Sequence, residues 1–380
     1  MTSGDISGTD DADLGIRGHE PTYATYMGEQ TNRFNGAALG QGACPYEIGA
    51  DCMETDPRAL ARAREWHGPH SSTAAEWPVD ALIAAKGNTT VSVVLPARDE
   101  ERTVGDIVTV IRRELVERAP LVDEIVVVDS DSTDATAERA RAAGARVVAQ
   151  NEVLPHLPRM TGKGEALWKG LAASHGDLVV YVDADLLDFG AHFVSGLVGP
   201  LLVDPGTQFV KATYERPFTG EDGVPRRGAG GRVTELVARP LLNMFWPELA
   251  GFGQPLGGEY AARRDVLARV PFVTEYGVEF GLLVDLLQRV GLDAMAQVDL
   301  GRRTHGHQSM SALARMAGQI MHTAWSRLER QGRVVSSESP ARTLLQFGLD
   351  GRAGLVDVAV AERPPLASLV PEEDLEEDVV

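Results

Sequence analysis

The sequence holds only two cysteines, Cys44 and Cys52, among 380 residues, and neither belongs to a cluster of cysteine and histidine. That scarcity excludes a disulfide framework and a thiolate zinc site, and it fits a reducing, cytoplasmic setting. Long apolar runs are missing as well: no stretch reaches the ~18 residues that cross a bilayer, and the N-terminus has no apolar segment of the secretory kind. A protein without a membrane span is expected. Positive charge is the third shortage. Lys and Arg number 36 against 55 Asp and Glu, a net charge of -19, so the dense basic face needed to bind nucleic acid is lacking. Any anionic ligand must be held by a local cation, a helix N-terminus or a metal ion.

What is present is a chain 43% hydrophobic, enough to build a sizeable core. Residues 1–75 are rich in Gly, Asp, Thr and Ala without periodicity and read as a leader, disordered or loosely packed, whose removal near Ala74 leaves fold and rate intact. From residue 91 the pattern becomes regular. Val91, Val93, Val94 and Leu95 form a strand, and Val104, Ile107, Val108 and Ile111 recur at helical spacing. The unit repeats: Ile125–Val128 make a buried strand, Ser132 or Thr133 offers a helix cap, and Gly144 ends that helix. A helix in "GKGEALWKGL", the strand "LVVYVD" and the helix "HFVSGLVGPLL" follow. Strands alternating with helices predict an α/β, doubly wound, Rossmann-like parallel sheet with ligands at the strands' C-terminal ends. A mixed α/β half and an acidic tail, "PEEDLEEDVV", complete the chain.

The acidic motifs sit at those strand ends. In "VVYVDADL", Asp183 and Asp185 are two apart, so both carboxylates face one side of the chain, an arrangement that suits Mg²⁺ or Mn²⁺ on a diphosphate. Solvent-exposed acids capping the next helix are the other reading of a motif this short. Asp99, Glu100 and Asp129 end two further strands, and three acceptor-bearing loops around one crevice can read a ribose and a base edge. Lys163, between glycines at a helix start, offers an ammonium beside free backbone N–H groups to a phosphate. "GAGGRVTEL" likewise puts Gly231, Arg232 and Thr234 at a helix start, a niche for an anion, or else a hinge loop with its cap.

The segments "VVLPARDEE", "VVDSDSTDAT", "GKGEALWKGL", "VVYVDADL", "GGRVTELVARPLL", "QPLGGEYAARRDVL" and "YGVEFGLLVDLLQRVGLDAMAQVDLG", in this order, resemble the glucosyl-3-phosphoglycerate synthases of actinobacterial type, which are retaining GT-A glycosyltransferases. The resemblance covers residues 75–330. It implies glucose transfer from UDP-glucose to 3-phosphoglycerate, a divalent cation, Mg²⁺ or Mn²⁺, and a homodimer. It divides the chain into a nucleotide-sugar-binding half at 76–215, an acceptor-binding, helical half at 216–335 and a C-terminal segment at 336–380. Carried over by position, Pro96, Ala97, Glu100, Ser130, Lys163, Asp183, Ala184, Asp185, Leu256, Tyr276 and Glu279 would line the donor site, with Asp183 at the ribose and Tyr276 and Glu279 at the glucose hydroxyls. Gly231, Arg232, Thr234 and His307 would hold the acceptor, Asp185 and His305 the metal, and Asp185 and Glu279 the chemistry. The chain departs from the family pattern at Arg98-Asp99, at Asp131, where glycine is usual, and at His307, where asparagine is. Other nucleotide-sugar transferases, such as mannosyl-3-phosphoglycerate or polyprenyl-phosphate enzymes, share the early motifs, and a non-catalytic nucleotide-sugar binder would share the sheet.

Overall fold

The computed structural model describes residues 57–215, 218–219, 225–226, 231–303, 309–348 and 351–369. Contacts divide the chain after Met53, and every described residue belongs to the second unit. The first elements are α1 (Pro57–His67), β1 (Ser71–Thr73), α2 (Val79–Lys86), β2 (Val91–Ala97), α3 (Val104–Ile111), β3 (Glu124–Asp129), α4 (Thr136–Ala143) and β4 (Arg146–Ala149). Then come α5 (Lys163–Ala173), β5 (Leu178–Tyr181), α6 (His192–Val203), β6 (Phe209–Glu215) and the short pair β7 (Phe218–Thr219) and β8 (Pro225–Arg226). A π turn (Thr234–Ala238) runs into α7 (Arg239–Phe245), followed by β9 (Tyr260–Arg263), α8 (Arg264–Leu267), β10 (Phe272–Val273), α9 (Val278–Val290) and β11 (Met295–Arg302). The long α10 (Met310–Arg330), a hairpin of β12 (Thr343–Phe347) and β13 (Ala353–Asp357), and β14 (Glu362–Arg363) close the described chain. Among the described residues no helix is long and apolar enough to cross a membrane.

Eight strands form the main sheet in the order β1-β11-β6-β9-β5-β2-β3-β4. Alternation sets its two faces: Val94, Val126 and Val128 point into one apolar layer, while Val93, Leu95 and Val127 point into the other. Strands covered on both sides have no polar face, which is why β2 and β3 read as continuous valine runs. α3 covers one face with Val104, Ile107, Val108 and Ile111, and α5 covers the opposite face with Leu167, Trp168 and Leu171. α4 stops at Gly144, whose φ of 105° opens a left-handed turn in which Ala145 N–H donates to Ala140 O at 3.1 Å.

Three expectations change. The sheet is mixed, because β9 runs antiparallel to both β5 and β6; its four residues, Tyr-Ala-Ala-Arg, are too few and carry no β-branched side chain to announce a strand. Strands from both expected halves of the chain share this one sheet. The helix after β3 begins at Thr136, not at a cap on Ser132 or Thr133, because Asp134 accepts from the Thr136 N–H at 3.0 Å. Ser132 and Thr133 instead lace their loop to the preceding one: the Asp99 N–H donates to Ser132 Oγ at 3.0 Å, and the Thr133 N–H to Asp99 Oδ1 at 2.7 Å.

The leader boundary near 75 also falls inside the folded unit. β1 is a parallel strand of the main sheet, paired with β11. In α1, Trp66 is 3% exposed, donates its indole N–H to Met295 O at 3.0 Å and packs against Phe252 with ring centroids 4.6 Å apart. One apolar face of a short helix and an edge strand of three residues carry little periodicity, so this part of the fold is weakly written. Residues 1–56, with Tyr23, Tyr26 and Phe34, lie outside the described residues. A chain starting near Glu54 is expected to unfold at the temperature of the full chain, whereas one starting at Ala74 loses several degrees, and Trp66→Ala costs about 3–5 kcal/mol. Thermal and urea unfolding of the three variants checks this, and an unchanged midpoint for the Ala74 start would contradict it.

Candidate active site

Asp183 follows β5 and is half-buried, with both carboxylate oxygens occupied. Lys163 Nζ lies 2.7 Å from Oδ1, and Arg303 Nη2 lies 2.7 Å from Oδ2. The two cations come from distant elements, Lys163 from the first residue of α5 and Arg303 from the end of β11. Lys163 also reaches Glu279 Oε1 in the first turn of α9 at 2.8 Å. Arg303 also contacts Glu259 at 3.1 Å, Asp185 Oδ1 at 3.4 Å and the Tyr214 hydroxyl at 3.1 Å. Burial opposes ionisation of Asp183, yet Lys163 and Arg303 outweigh it and hold the carboxyl well below its usual range. Burial likewise opposes the Lys163 charge, and Asp183 and Glu279 more than restore it.

Asp185 is placed differently. Its side chain is 40% exposed, against 15% for Asp183, and burial together with the neighbouring Asp183 charge raises its carboxyl above the ordinary value. Glu100, in the turn after β2, feels the same field: burial, then the charge of Asp185, push it up to about 7. Around this point five carboxylates, Glu100, Asp183, Asp185, Glu259 and Glu279, face three cations, Lys163, Lys211 and Arg303. Counted as formal charges, the carboxylates outnumber the cations by two, and this crowding helps raise Asp185 and Glu100. Hard oxygen donors that repel one another in this way are the chemistry that suits Mg²⁺ or Mn²⁺, so the residues present fit a divalent ion. Among the described residues no group of three or more acidic, His or Cys side chains converges on one point. His305, the expected partner of Asp185, lies outside the described residues, as does His307.

The other expected residues fall as follows. Pro96 and Ala97 end β2, and the Ser130 N–H donates to Ala97 O at 2.9 Å while its hydroxyl donates to Gln150 at 2.9 Å. Ala184 O accepts from the Thr103 hydroxyl at 2.6 Å, which pins the Asp-Ala-Asp turn to the start of α3. Leu256 packs half-buried on the core, Glu279 is buried, and Tyr276 is 37% exposed. Gly231 has φ 84°, Thr234 is buried, and Arg232 is exposed with Nη1 3.0 Å from Met310 Sδ. The contacts therefore join Lys163, Asp183, Asp185 and Glu279 into one cluster and set the Gly231–Thr234 turn against α10. Asp99 and Asp131 have φ 57° and 59°, the left-handed region where glycine and asparagine are at ease. At both positions the chain departs from the family pattern, and both tolerate aspartate because its side chain bonds locally: Asp131 Oδ2 accepts from Arg159 at 2.7 Å, and Asp99 Oδ1 accepts from the Thr133 N–H at 2.7 Å. Asp99 thereby laces its loop to the next one.

Sequence reasoning missed Arg303, Lys211, Glu259 and Tyr214. Lys211, in the middle of β6, donates to Gly257 O and lies 4.6 Å from the Tyr260 ring centre, and burial lowers its ammonium to about 8. A lysine inside an apolar strand, "FVKATYE", was the available signal. Gly258, beside Glu259, can only be glycine, since a Cβ there would overlap the Asp183 carboxylate.

Residues 92–237 match the family model described as glycosyl transferase family 2. Glucosyl-3-phosphoglycerate synthase of Mycolicibacterium paratuberculosis is 48% identical over 316 residues, 81% of this chain and 91% of that protein. The chain belongs to the glucosyl-3-phosphoglycerate synthases. It is a glycosyltransferase of GT-A type. The crystal structure of the Mycobacterium tuberculosis synthase in complex with Mn²⁺, UDP-glucose and phosphoglyceric acid superimposes with a TM-score of 0.68 at 45% identity, over 77% of this chain and 96% of that one. Mannosyl-3-phosphoglycerate synthase from Rubrobacter xylanophilus gives a TM-score of 0.75 at 41% identity, over 81% and 98%.

A cation settling beside Glu100 favours its ionised form, so the group must shed its proton, and metal affinity must strengthen as pH rises toward about 7 and level off above it. Titrating Mn²⁺ at pH 7 in buffers of different ionisation enthalpy is expected to reveal proton release. Glu100→Gln is expected to lack it, and equal release from that variant would contradict the assignment.

Proposed function

We propose that this chain transfers glucose from UDP-glucose to the hydroxyl of 3-phosphoglycerate with retention at the anomeric carbon, in the presence of Mg²⁺ or Mn²⁺. The observation that carries this reading is the crowding of the carboxyls of Glu100, Asp183 and Asp185 at the ends of β2 and β5, in a chain that shares most of its length with synthases of this name. Asp185 would hold the ion together with His305. When bound, the ion supplies charge neutralisation to the diphosphate leaving group.

The chain's own residues do the rest. Lys163, at the N-terminus of α5, adds an ammonium beside free N–H groups for the diphosphate, exchanging part of its contact with Asp183 and Glu279 as UDP-glucose enters. Glu279, released from Lys163, accepts from a glucose hydroxyl and orients the ring with Tyr276; Pro96, Ala97, Glu100, Ser130, Ala184 and Leu256 complete the donor side. Arg232, exposed and, among the described residues, 3.0 Å from a methionine sulfur, would take a phosphate or carboxylate oxygen, with Gly231 and Thr234 in the same turn and His307 as the further acceptor residue that the family pattern suggests. Glu279 is the one carboxylate that double displacement would use as nucleophile, and its tie to Lys163 favours the orienting role. Front-face transfer, in which the departing phosphate takes the acceptor proton, asks nothing more of it.

A homodimer is part of the same reading. The β12–β13 hairpin turns Leu345, Phe347 and Leu355 outward at 59%, 70% and 76% exposure, and an isolated two-stranded hairpin gains from a partner on such a face. A cytoplasmic site of action goes with it, because donor and acceptor are both charged metabolites. The likeness to the Rubrobacter mannosyl enzyme supports a second reading, GDP-mannose as donor. A matrix of UDP-glucose, GDP-glucose and GDP-mannose against 3-phosphoglycerate, read by mass spectrometry, separates them. UDP-glucose is expected to turn over at least about tenfold faster, a 1.4 kcal/mol preference, and EDTA is expected to abolish transfer. A faster rate with GDP-mannose would overturn the donor assignment.

A further inference from the structure

The C-terminal segment carries no motif of the transferase resemblance, yet its residues Arg363 and Pro364 bond to the helix that presents Lys163. Arg363, in β14, is 2% exposed and makes a two-pronged pair with Glu165, which is 1% exposed: Nε to Oε2 and Nη2 to Oε1, both at 2.7 Å. Nη2 also donates to Pro158 O at 2.6 Å, in the loop that leads into α5. The guanidinium lies 5.1 Å from the Trp168 ring centre, and the Trp168 indole N–H donates to Pro364 O at 3.0 Å. β14 pairs with β10, and the Thr274 N–H donates to Ala361 O at 2.9 Å. Thr274 O in turn accepts from the Glu165 N–H at 3.1 Å, and Gly164 lies so close to Val273 O that a Cβ would overlap it. The first turn of α5 is thus fastened from two sides by the segment 361–364, once through its backbone and once through a buried charged fork.

We propose that Arg363 is a positioning residue for the donor site: by holding Glu165, Pro158 and Trp168, it fixes the start of α5 and with it the place of the Lys163 ammonium. Glu165 stands two residues beyond Lys163, in the same helical turn, and has no contact with Asp183, Asp185 or Glu279 among those of the described residues. A planar fork fixes position as well as charge, which a lysine ammonium does not. Loss of the fork leaves Lys163 free to relax away from the diphosphate, while the acceptor niche around Arg232, on another element, keeps its geometry. This inference rests on the reading of Lys163 as a donor-site residue.

The test is a double-mutant cycle between the fork and Lys163, read by calorimetry with UDP and Mn²⁺ and, separately, with 3-phosphoglycerate. Arg363→Met alone strands the Glu165 charge and threatens folding, so the fork is removed as the pair Arg363→Met with Glu165→Leu, which takes both charges away together. The pair is expected to weaken UDP about tenfold and leave 3-phosphoglycerate binding unchanged; added to Lys163→Met, it is expected to weaken UDP no further, because coupled sites are not additive. Arg363→Lys is expected to fall between wild type and the pair. Additive losses of UDP affinity, or equal losses for both ligands, would overturn the positioning role and leave a purely structural clamp. If Lys163→Met binds UDP as wild type does, the donor-site reading of Lys163 fails together with the inference; if only the fork variant is silent, the inference alone fails.

Discussion

Asp183, held between Lys163 and Arg303, is the contact on which the cleft depends. Asp183 itself lies in the turn after β5, and its two cations come from the start of α5 and the end of β11. Arg303 is buried and Asp183 and Lys163 are largely so, which makes each costly alone and acceptable only in company. Removing Asp183 leaves Lys163 with Glu279 and Arg303 with Glu259 and Asp185, and takes away the anion they share. A network of this kind specifies one arrangement of the strand ends, and it does so before any ligand arrives.

The same network explains the division of labour within the Asp-Ala-Asp turn. Residues two apart in extended chain point the same way, so the motif alone makes the two aspartates look equivalent. They are not. Asp183 is spent on the protein, with both oxygens paired, whereas Asp185 faces the cleft with a raised carboxyl and only a distant share of Arg303. The excess negative charge collects at Asp185 and Glu100, where a divalent ion has something to neutralise. Gly258 permits the arrangement by giving Asp183 room, and Lys211 steadies the turn that carries it through Gly257.

Much of the fold was legible because the central strands and their covering helices carry strong periodic signals: the valine runs of β2 and β3, the spacing of Val104, Ile107, Val108 and Ile111, and the glycine that stops α4. The strand-end positions of Glu100, Asp183 and Asp185 and the helix-start position of Lys163 followed from that pattern alone. What stayed hidden depends on long-range pairing. Arg303 lies 120 positions from its partner Asp183, and no local rule links them. β9 is only four residues whose direction is set by the strands on either side, and α1 buries just Ala63 and Trp66, too few to write a helical period. The cap expected of Ser132 or Thr133 was misplaced because loop hydroxyls serve helix starts and neighbouring loops with the same hydrogen bonds.

The central claim, that Asp183 serves the protein and Asp185 serves the ion, is tested most directly by comparing Asp183→Asn with Asp185→Asn for thermal midpoint and Mn²⁺ binding in one calorimetric series. The account predicts that Asp183→Asn lowers the midpoint by several degrees, because Lys163 and Arg303 lose their shared anion. Asp185→Asn, which relieves repulsion with Asp183, is predicted to keep or raise the midpoint and to lose Mn²⁺ binding. Equal destabilisation by the two substitutions, or Mn²⁺ bound by Asp185→Asn as tightly as by the parent chain, would contradict it.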